Sequence, residues 1–176
     1  VAPISRSSIV LGKILGGGAI AVLQGLLMLL LGPIIGMPMS ILTVLKLTGL
    51  LAIISVSLSS VGIALASRLR SQQSFQIFIQ IFMFPAVFIS GVLFPVNNVP
   101  RWLEIISKVN PLTYGVDAVR QVFLNGQSVV PTDGSPPIMG IVFYNHITTV
   151  FVDVVVLVLF GLVMFSVSLW TFSRLD

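Results

Sequence analysis

The sequence predicts an all-α integral membrane protein: a polytopic helix bundle with four transmembrane helices and a pair of shorter helices before the fourth. Of the 176 residues, 56% are hydrophobic and 8% are charged, and the mean hydropathy is +1.12. This composition leaves too little polar surface to cover a water-soluble globule. Four apolar segments each have about the 20 residues that a membrane helix needs. A polar, proline-rich insert at residues 95–124 interrupts them.

Composition and motifs exclude several function classes. The net charge of +4 comes from scattered Lys and Arg near the apolar segments, whereas nucleic-acid binding needs a clustered basic face. With no Cys and a single His, the sequence offers no disulfide, thiolate or spaced metal ligands, and it lacks a P-loop. No apolar segment carries a central charge, which argues against an ion-coupled antiporter. We therefore expect neither an enzyme nor a cofactor in this chain.

The first two spans are predicted at residues 14–35 and 41–67. Residues 1–13, with Pro3, Arg6 and Lys13, are interpreted as a loop beside the membrane. Gly12 and Gly16 either offer a small surface for another helix or are glycines of the kind that any membrane helix tolerates. In the second span a small, weakly polar face recurs at helical spacing. It consists of Ser55, Ser59, Gly62 and Ala66. We expect this face to pack on a neighbouring helix, with a substrate-lining role as the alternative.

The third span is predicted at residues 72–94, and Pro85 within it should kink or break the helix. Gln73, Gln76 and Gln80 share one face, while Phe78 and Phe82 point roughly the other way. Unpaired amides facing lipid are costly. The glutamines therefore either bond to neighbouring helices or line a wet pathway.

The insert at residues 95–124 is predicted to contain two amphipathic helices, Pro100 to Val109 and Pro111 to Leu124, each opened by a proline. Helix spacing pairs Glu104 with Lys108 and Asp117 with Arg120. Irregular backbone exposed to lipid would leave amide groups unsatisfied. We therefore expect a re-entrant or membrane-surface cap.

An irregular outer loop is predicted at residues 125–148, followed by the fourth span at residues 149–172. His146 and Asp153 are seven residues apart, which would place them on nearly one face at the start of that span. A His and an Asp at a membrane edge can form a proton relay. The simpler interpretation, which we favour, is that both lie at the water interface.

The sequence GVLFPVNNVPRWLEIISKVNPLTYGVDAVRQ resembles the signature of the type 2 ABC exporter permeases. That signature has a Gly and Phe-Pro, then a Pro and a Trp, then Asn-Pro-Leu-Thr-Tyr and a final Asp-x-x-Arg. The upstream APISRSSIVLGKILG is similar to the segment after that family's cytoplasmic coupling helix. The matching residues are Gly91, Phe94, Pro95, Pro100, Trp102, Asn110, Pro111, Leu112, Thr113, Tyr114, Asp117 and Arg120.

The resemblance implies a permease with six membrane helices, of which this chain would hold the last four. Residues 1–13 would end the coupling segment, with Pro3, Ser5 and Arg6 contacting a separate ABC ATP-binding subunit that carries ATP and Mg. Gln76, Gln80 and Phe82 would line the pathway, and the insert would be an extracellular re-entrant gate. A second permease copy would complete a dimer in the lipid bilayer of a prokaryotic cell membrane.

The resemblance also implies export driven by the partner ATPase. A pathway with Gln and Phe but no fixed charge favours an amphipathic or drug-like substrate, as in multidrug efflux. Export of a lipid-linked saccharide is the second expectation, and a non-transporting membrane anchor or assembly subunit is an alternative of another class. An intramembrane enzyme that depends on His146 has the least support.

Overall fold

The computed structural model describes residues 6–35, 39–69, 71–93, 100–123, 142–143, 146–147 and 149–173. Six α-helices occur in these ranges, with a 3-10 turn at Pro33–Ile35 and one short antiparallel strand pair. The helices are α1 (Arg6–Leu30), α2 (Ile41–Ala66), α3 (Gln72–Ile89), α4 (Arg101–Val109), α5 (Pro111–Phe123) and α6 (Val150–Ser173). The strands are β1 (Val142–Phe143) and β2 (His146–Ile147).

The predicted fold class is confirmed. Within the described residues, α1, α2, α3 and α6 are long and apolar enough to cross a membrane. Large apolar side chains on these helices are widely exposed in the single chain, for example Met28 at 72% and Phe151 at 76%. Such a surface is stable only against lipid or another apolar partner. The strand pair lies inside the segment predicted as an outer loop.

One local prediction along the spans was wrong. Helix α1 begins at Arg6, so residues 6–13 are helical and not a loop. Val10 and Ile14, one turn apart, are both buried, which extends the packed face into this segment. Helix α3 continues through Pro85 to Ile89, so the proline does not break it, and the kink predicted as the alternative stays a prediction.

The chain divides into two compact units, Val1–Phe78 with Val158–Asp176 and Ile79–Leu157. In the first unit α1 packs along α2. A Cβ placed at Gly17 would lie 3.3 Å from the Ser59 hydroxyl oxygen, and one at Gly18 would lie 3.7 Å from that of Ser55. This confirms helix packing for that part of the serine face.

The other small residues make no close helix contact within the described residues, so their packing on another helix stays a prediction. A Cβ at Gly62, Gly12 or Gly16 would have nothing within 4 Å, and Ala66 is exposed. The close helix contact at α1 is made by Gly17 and Gly18 instead, because these residues face α2.

A second close contact in this unit joins α2 to the later part of α6. A Cβ built on Gly161 would lie 2.5 Å from Ser57 Oγ and 3.4 Å from its Cα. Both residues are buried. Glycine at residue 161 is therefore what lets the two helix backbones approach.

The second unit contains α4, α5, the strand pair, the end of α3 and the first turns of α6. Among the described residues of this unit, Tyr114, Ala118, Val122 and Leu157 are the buried large apolar residues and alanines. Tyr114, Ala118 and Val122 recur every four residues along α5, so one face of this amphipathic helix forms the packed side.

Candidate functional site

The candidate site is the insert, and the structure gives its two helices nearly the predicted bounds. Pro111 is the first residue of α5, as expected for a helix-opening proline, whereas Pro100 is the residue before α4. The predicted Glu104 and Lys108 pair is confirmed, with Lys108 Nζ 2.6 Å from Glu104 Oε1. The hydrogen bond and positive charge of Lys108 hold the pKa of Glu104 below its usual value.

Asn110 connects the turn between α4 and α5 to the last turn of α3. Its side-chain Nδ2 donates to the carbonyl of Ala86 at 2.7 Å, and its Oδ1 accepts from the amide of Leu112 at 3.1 Å. Carbonyls in the last turn of a helix lack partners within the helix. Asn110 thus caps α3 and the start of α5 with one side chain.

Gly91 and Arg120 form a second connection to the end of α3. Gly91 is buried and has φ 84°, a left-handed conformation that favours glycine. Its carbonyl accepts a 2.7 Å hydrogen bond from Arg120 Nη2. The ion pair predicted between Arg120 and Asp117 stays a prediction.

Tyr114 holds α5 against α4. It is 6% exposed, and its hydroxyl donates to the carbonyl of Lys108 at 2.7 Å. Burial, and then the negative charge of Asp153, raise the pKa of Tyr114 above its usual value. The hydroxyl therefore remains protonated and available as a donor at neutral pH.

A buried polar cluster joins α5 to the start of α6, and we call it the Gln121 bridge (Asp117, Gln121 and Asp153). Gln121 Nε2 donates to Asp117 Oδ2 at 2.9 Å and to Asp153 Oδ2 at 3.1 Å. Asp117 is 3% exposed, Gln121 9% and Asp153 0%. One amide nitrogen thus connects two carboxylates that are removed from water.

The bridge corrects two interpretations of His146 and Asp153. His146 lies in β2 and α6 begins at Val150, so the two residues do not share a helix face. Asp153 is also fully buried and not at the water interface, because Gln121 from α5 covers and bonds to it. The side chain of His146 lies outside the described residues.

Sequence reasoning missed Gln121 although a signal was present. Thr113, Asp117 and Gln121 recur at four-residue intervals, which places three polar residues on one face of α5. All three are buried. A polar stripe on the packed side of an amphipathic helix indicates hydrogen bonding to a neighbouring element.

The predicted pathway residues lie on an open helix surface. None of the 18 residues of α3 is buried in the single chain; Gln76 and Gln80 are exposed, and Phe82 is 65% exposed. A shallow, open depression beside this helix is bordered by Gln80, Phe84 and Pro85 among other α3 residues. The structure therefore brings these candidates onto one helix without enclosing them.

Several predicted site residues have no described side chain. Pro3, Ser5, Phe94 and Pro95 lie outside the described residues, and Arg6 is known only as the first residue of α1.

Two other predicted residues of the insert, Trp102 and Pro100, are exposed. Across the described part of the chain, no cluster of His, Asp and Glu could hold a metal ion.

Four membrane-length helices and a short helix pair tied to the end of the third define a multi-pass α-helical membrane protein. The profile of the ABC-2 type transporter family matches residues 1–124, more than two thirds of the chain. The chain therefore belongs to the ABC-2 type transporter family, the group of membrane transport permeases that the sequence motif indicated.

Named relatives agree with this assignment. The chain is 33% identical over 79 residues to the probable multidrug ABC transporter permease YbhR of Escherichia coli K12, covering 45% of this chain and 22% of that protein. It is 24% identical over 123 residues to the putative transport permease ycf38 of Porphyra purpurea, covering 69% of this chain and 42% of that protein.

A third relative is nodulation protein J of Rhizobium meliloti, 27% identical over 88 residues, covering 50% of this chain and 31% of that protein. The matched segments thus span less than half the length of each of these relatives. No solved structure matches the chain significantly.

Proposed function

We propose that this chain is part of the transmembrane subunit of an ATP-driven exporter that moves an amphipathic or drug-like substrate out of the cytoplasm. The observation that carries the proposal is the family match over residues 1–124, which includes α1 to α5. ATP and Mg belong to a separate ABC ATPase subunit, and a second permease copy completes the transporter. The expected location is the plasma membrane of a prokaryotic cell.

The substrate class is supported by the chemistry of α3. Its sequence, QQSFQIFIQIFMFPAVFI, contains amides and aromatic rings but no Asp, Glu, Lys or Arg. Gln76, Gln80 and Phe82 can offer hydrogen bonds and apolar contact without a fixed charge. Such a surface suits an amphipathic molecule better than a small ion, and a relative is named as a probable multidrug permease.

Coupling to the ATPase is assigned to Pro3, Ser5 and Arg6. Helix α1 runs without interruption from Arg6 to Leu30. A continuous helix transmits a displacement at its first residue along its length, because its backbone hydrogen bonds resist bending. Movement of the ATPase against Arg6 would thus reach the membrane-spanning part of α1 directly.

The insert is assigned as the outer gate. Asn110 and Arg120 bond to the carbonyls of Ala86 and Gly91 at the end of α3, each at 2.7 Å. Because these bonds tie α4 and α5 to that end of α3, displacement of α3 would carry the insert with it or break them. We therefore propose that opening of the pathway and movement of the insert are coupled.

Co-purification tests the proposed function. The tagged full-length protein, extracted in mild detergent, should retain a P-loop ATPase whose activity rises when amphipathic drugs are added. A variant ATPase without its P-loop lysine should still co-purify but show no stimulated activity. Purification without any P-loop ATPase under conditions that preserve the dimer would contradict the proposal and favour a membrane anchor.

A further inference from the structure

Lys46 is a cation on the exposed, apolar side of α2. It lies in the second turn of that helix, and its side chain is exposed. Its neighbours on the same side are Leu42 and Leu45, which are 60% and 69% exposed. The opposite side of these turns is packed against protein, because Thr43 and Leu47 are buried. Lys46 therefore points away from the helices that α2 packs against.

The described chain offers no carboxylate to balance the charge of Lys46. Residues 1–103 contain no Asp or Glu, so the first acidic residue of the sequence is Glu104. Glu104 pairs with Lys108, and the other two carboxylates of the described residues are buried in the Gln121 bridge. An anion that meets Lys46 therefore comes from outside the described chain.

The length of α2 places Lys46 at the edge of the hydrocarbon. The helix is capped by Ser40 and ends at Ala66. From Lys46 to Ala66 it rises about 30 Å, which is the thickness of the hydrocarbon core of a bilayer. Arg68 follows the end of the helix and is exposed, as expected of a cation at the other headgroup layer. A lysine at this depth extends its ammonium group to the lipid phosphates.

A glycine opens a notch one turn further into the membrane than Lys46. Leu45, Gly49 and Ile53 recur every four residues, so they form one stripe along α2. Gly49 is exposed, and a Cβ added to it would have nothing within 4 Å. We call the gap between the two large apolar side chains the Gly49 notch (Leu45, Gly49 and Ile53). It lies beside Lys46, because residues three apart are neighbours on a helix surface.

We propose that Lys46 and the Gly49 notch bind one anionic phospholipid, with the ammonium group on its phosphate and an acyl chain in the notch. Such a lipid fits both features, because its charged head and its chains lie at the same two depths as the lysine and the notch. A free phosphate has no part that fills the notch, and a zwitterionic headgroup brings its own cation. The inference holds whether or not the chain transports a substrate.

Lipid titration tests the requirement for charge. The full-length protein in mild detergent is titrated with phosphatidylglycerol or phosphatidylcholine, and native mass spectrometry counts the lipids bound to each chain. Lys46→Gln should weaken phosphatidylglycerol binding about fivefold and leave phosphatidylcholine binding unchanged, whereas Lys46→Arg should bind as the wild type does. Arg101→Gln is the matched control, because it removes an exposed cation outside this site and should leave both affinities unchanged.

A second pair of variants tests the notch with the charge in place. Gly49→Leu fills the gap without a clash, since nothing lies within 4 Å of the added Cβ, and should weaken phosphatidylglycerol binding several-fold. Gly62→Leu is the matched control at an equally open glycine of the same helix, and it should leave that affinity unchanged. Size-exclusion chromatography of each variant checks that it is folded.

Three results would overturn the proposal. Phosphatidylglycerol affinity equal to that of the wild type in Lys46→Gln or in Gly49→Leu would show that the lipid does not use this site. Displacement of the lipid by inorganic phosphate as effectively as by phosphatidylglycerol would make Lys46 a site for free anions. A disulfide between two copies of Lys46→Cys, in full-length protein free of other cysteines, would make this face a contact with a second copy.

Discussion

Gln121 joins α5 to the start of α6 through its side-chain amide. Its amide nitrogen bonds to two buried carboxylates, at 2.9 Å and 3.1 Å. Removing a donor from a buried polar pair leaves the acceptors with their full desolvation cost. Gln121 therefore stabilises the fold, and its loss would leave two buried carboxyl groups without this hydrogen-bond donor.

Gln121→Leu should lower the free energy of unfolding by about 1–3 kcal/mol. The control is Gln73→Leu, the same change at an exposed residue of α3, which should alter stability little. Thermal unfolding in detergent, followed by size-exclusion chromatography of the fluorescently tagged protein, measures both. Equal melting temperatures for Gln121→Leu and wild type would show that the bridge is not stabilising.

Because the pKa of Tyr114 is raised in the folded protein, we expect the free energy of unfolding to depend on pH. Its pKa is raised in the folded state, so the folded protein retains this proton above about pH 10 while the unfolded chain loses it. The contribution of Tyr114 to stability is thus fully present below pH 10 and is lost as the pH rises through the folded pKa.

Tyr114→Phe removes the bond to the Lys108 carbonyl and should cost about 1 kcal/mol at neutral pH. The difference in stability between wild type and Tyr114→Phe should shrink above pH 10. Ionisation of Tyr114 in the unfolded chain then stabilises the unfolded state of the wild type and lowers its free energy of unfolding. Denaturant unfolding of both proteins at a series of pH values measures this difference. A gap that stays constant to the most alkaline pH would contradict the assignment.

For the helices, features that depend on residues close together in sequence could be predicted. Pro100 and Pro111 set the starts of α4 and α5 to within one residue, and Glu104 and Lys108 pair across one helical turn as expected. The start of α1 was misjudged, because charge at Arg6 and Lys13 was interpreted as the end of helical structure. In the structure Val10 and Ile14 are buried on one face of this segment, and that packing stabilises it as a helix despite its charges.

Contacts between distant segments could not be predicted in this way. Gln121 and Asp153 are 32 residues apart in sequence, and their bond depends on how α5 meets the start of α6. The contact of Gly161 with Ser57 likewise depends on which faces of α2 and α6 meet. Periodicity gives the polar or small face of each helix but not the neighbour that covers it.

Gly161 provides a test of helix packing. Gly161→Ala would place a methyl group 2.5 Å from Ser57 Oγ and 3.4 Å from Ser57 Cα, so the Ser57 hydroxyl must turn away or α2 and α6 must move apart, at a cost of about 1–3 kcal/mol. Gly62→Ala is the control, because nothing lies within 4 Å of the added atom and alanine favours the helix by about 1 kcal/mol. Melting temperatures should fall for the first and not for the second; a similar fall in both would contradict the contact.

For the whole molecule, the proposed transport requires that motion of the proposed ATPase partner reach the spans. We propose that Arg6 meets an acidic surface of the ATPase, so Arg6→Glu in the full-length protein should repel that surface and reduce transport-coupled ATPase activity. Arg68→Glu is the control: it makes the same change at an exposed residue after α2. If Arg6→Glu folds normally by size-exclusion chromatography and its ATPase activity remains coupled to transport as in wild type, Arg6 does not contribute to the ATPase contact.

Transport in proteoliposomes tests the proposal that this chain forms part of an ATP-driven exporter. The full-length permease and its ATPase are reconstituted so that the ATPase faces outward, and ATP with Mg is added with a fluorescent amphipathic dye. We expect ATP-dependent dye accumulation inside the vesicles, absent with the P-loop lysine variant. Dye movement that is the same with and without ATP, while the complex hydrolyses ATP, would contradict the account.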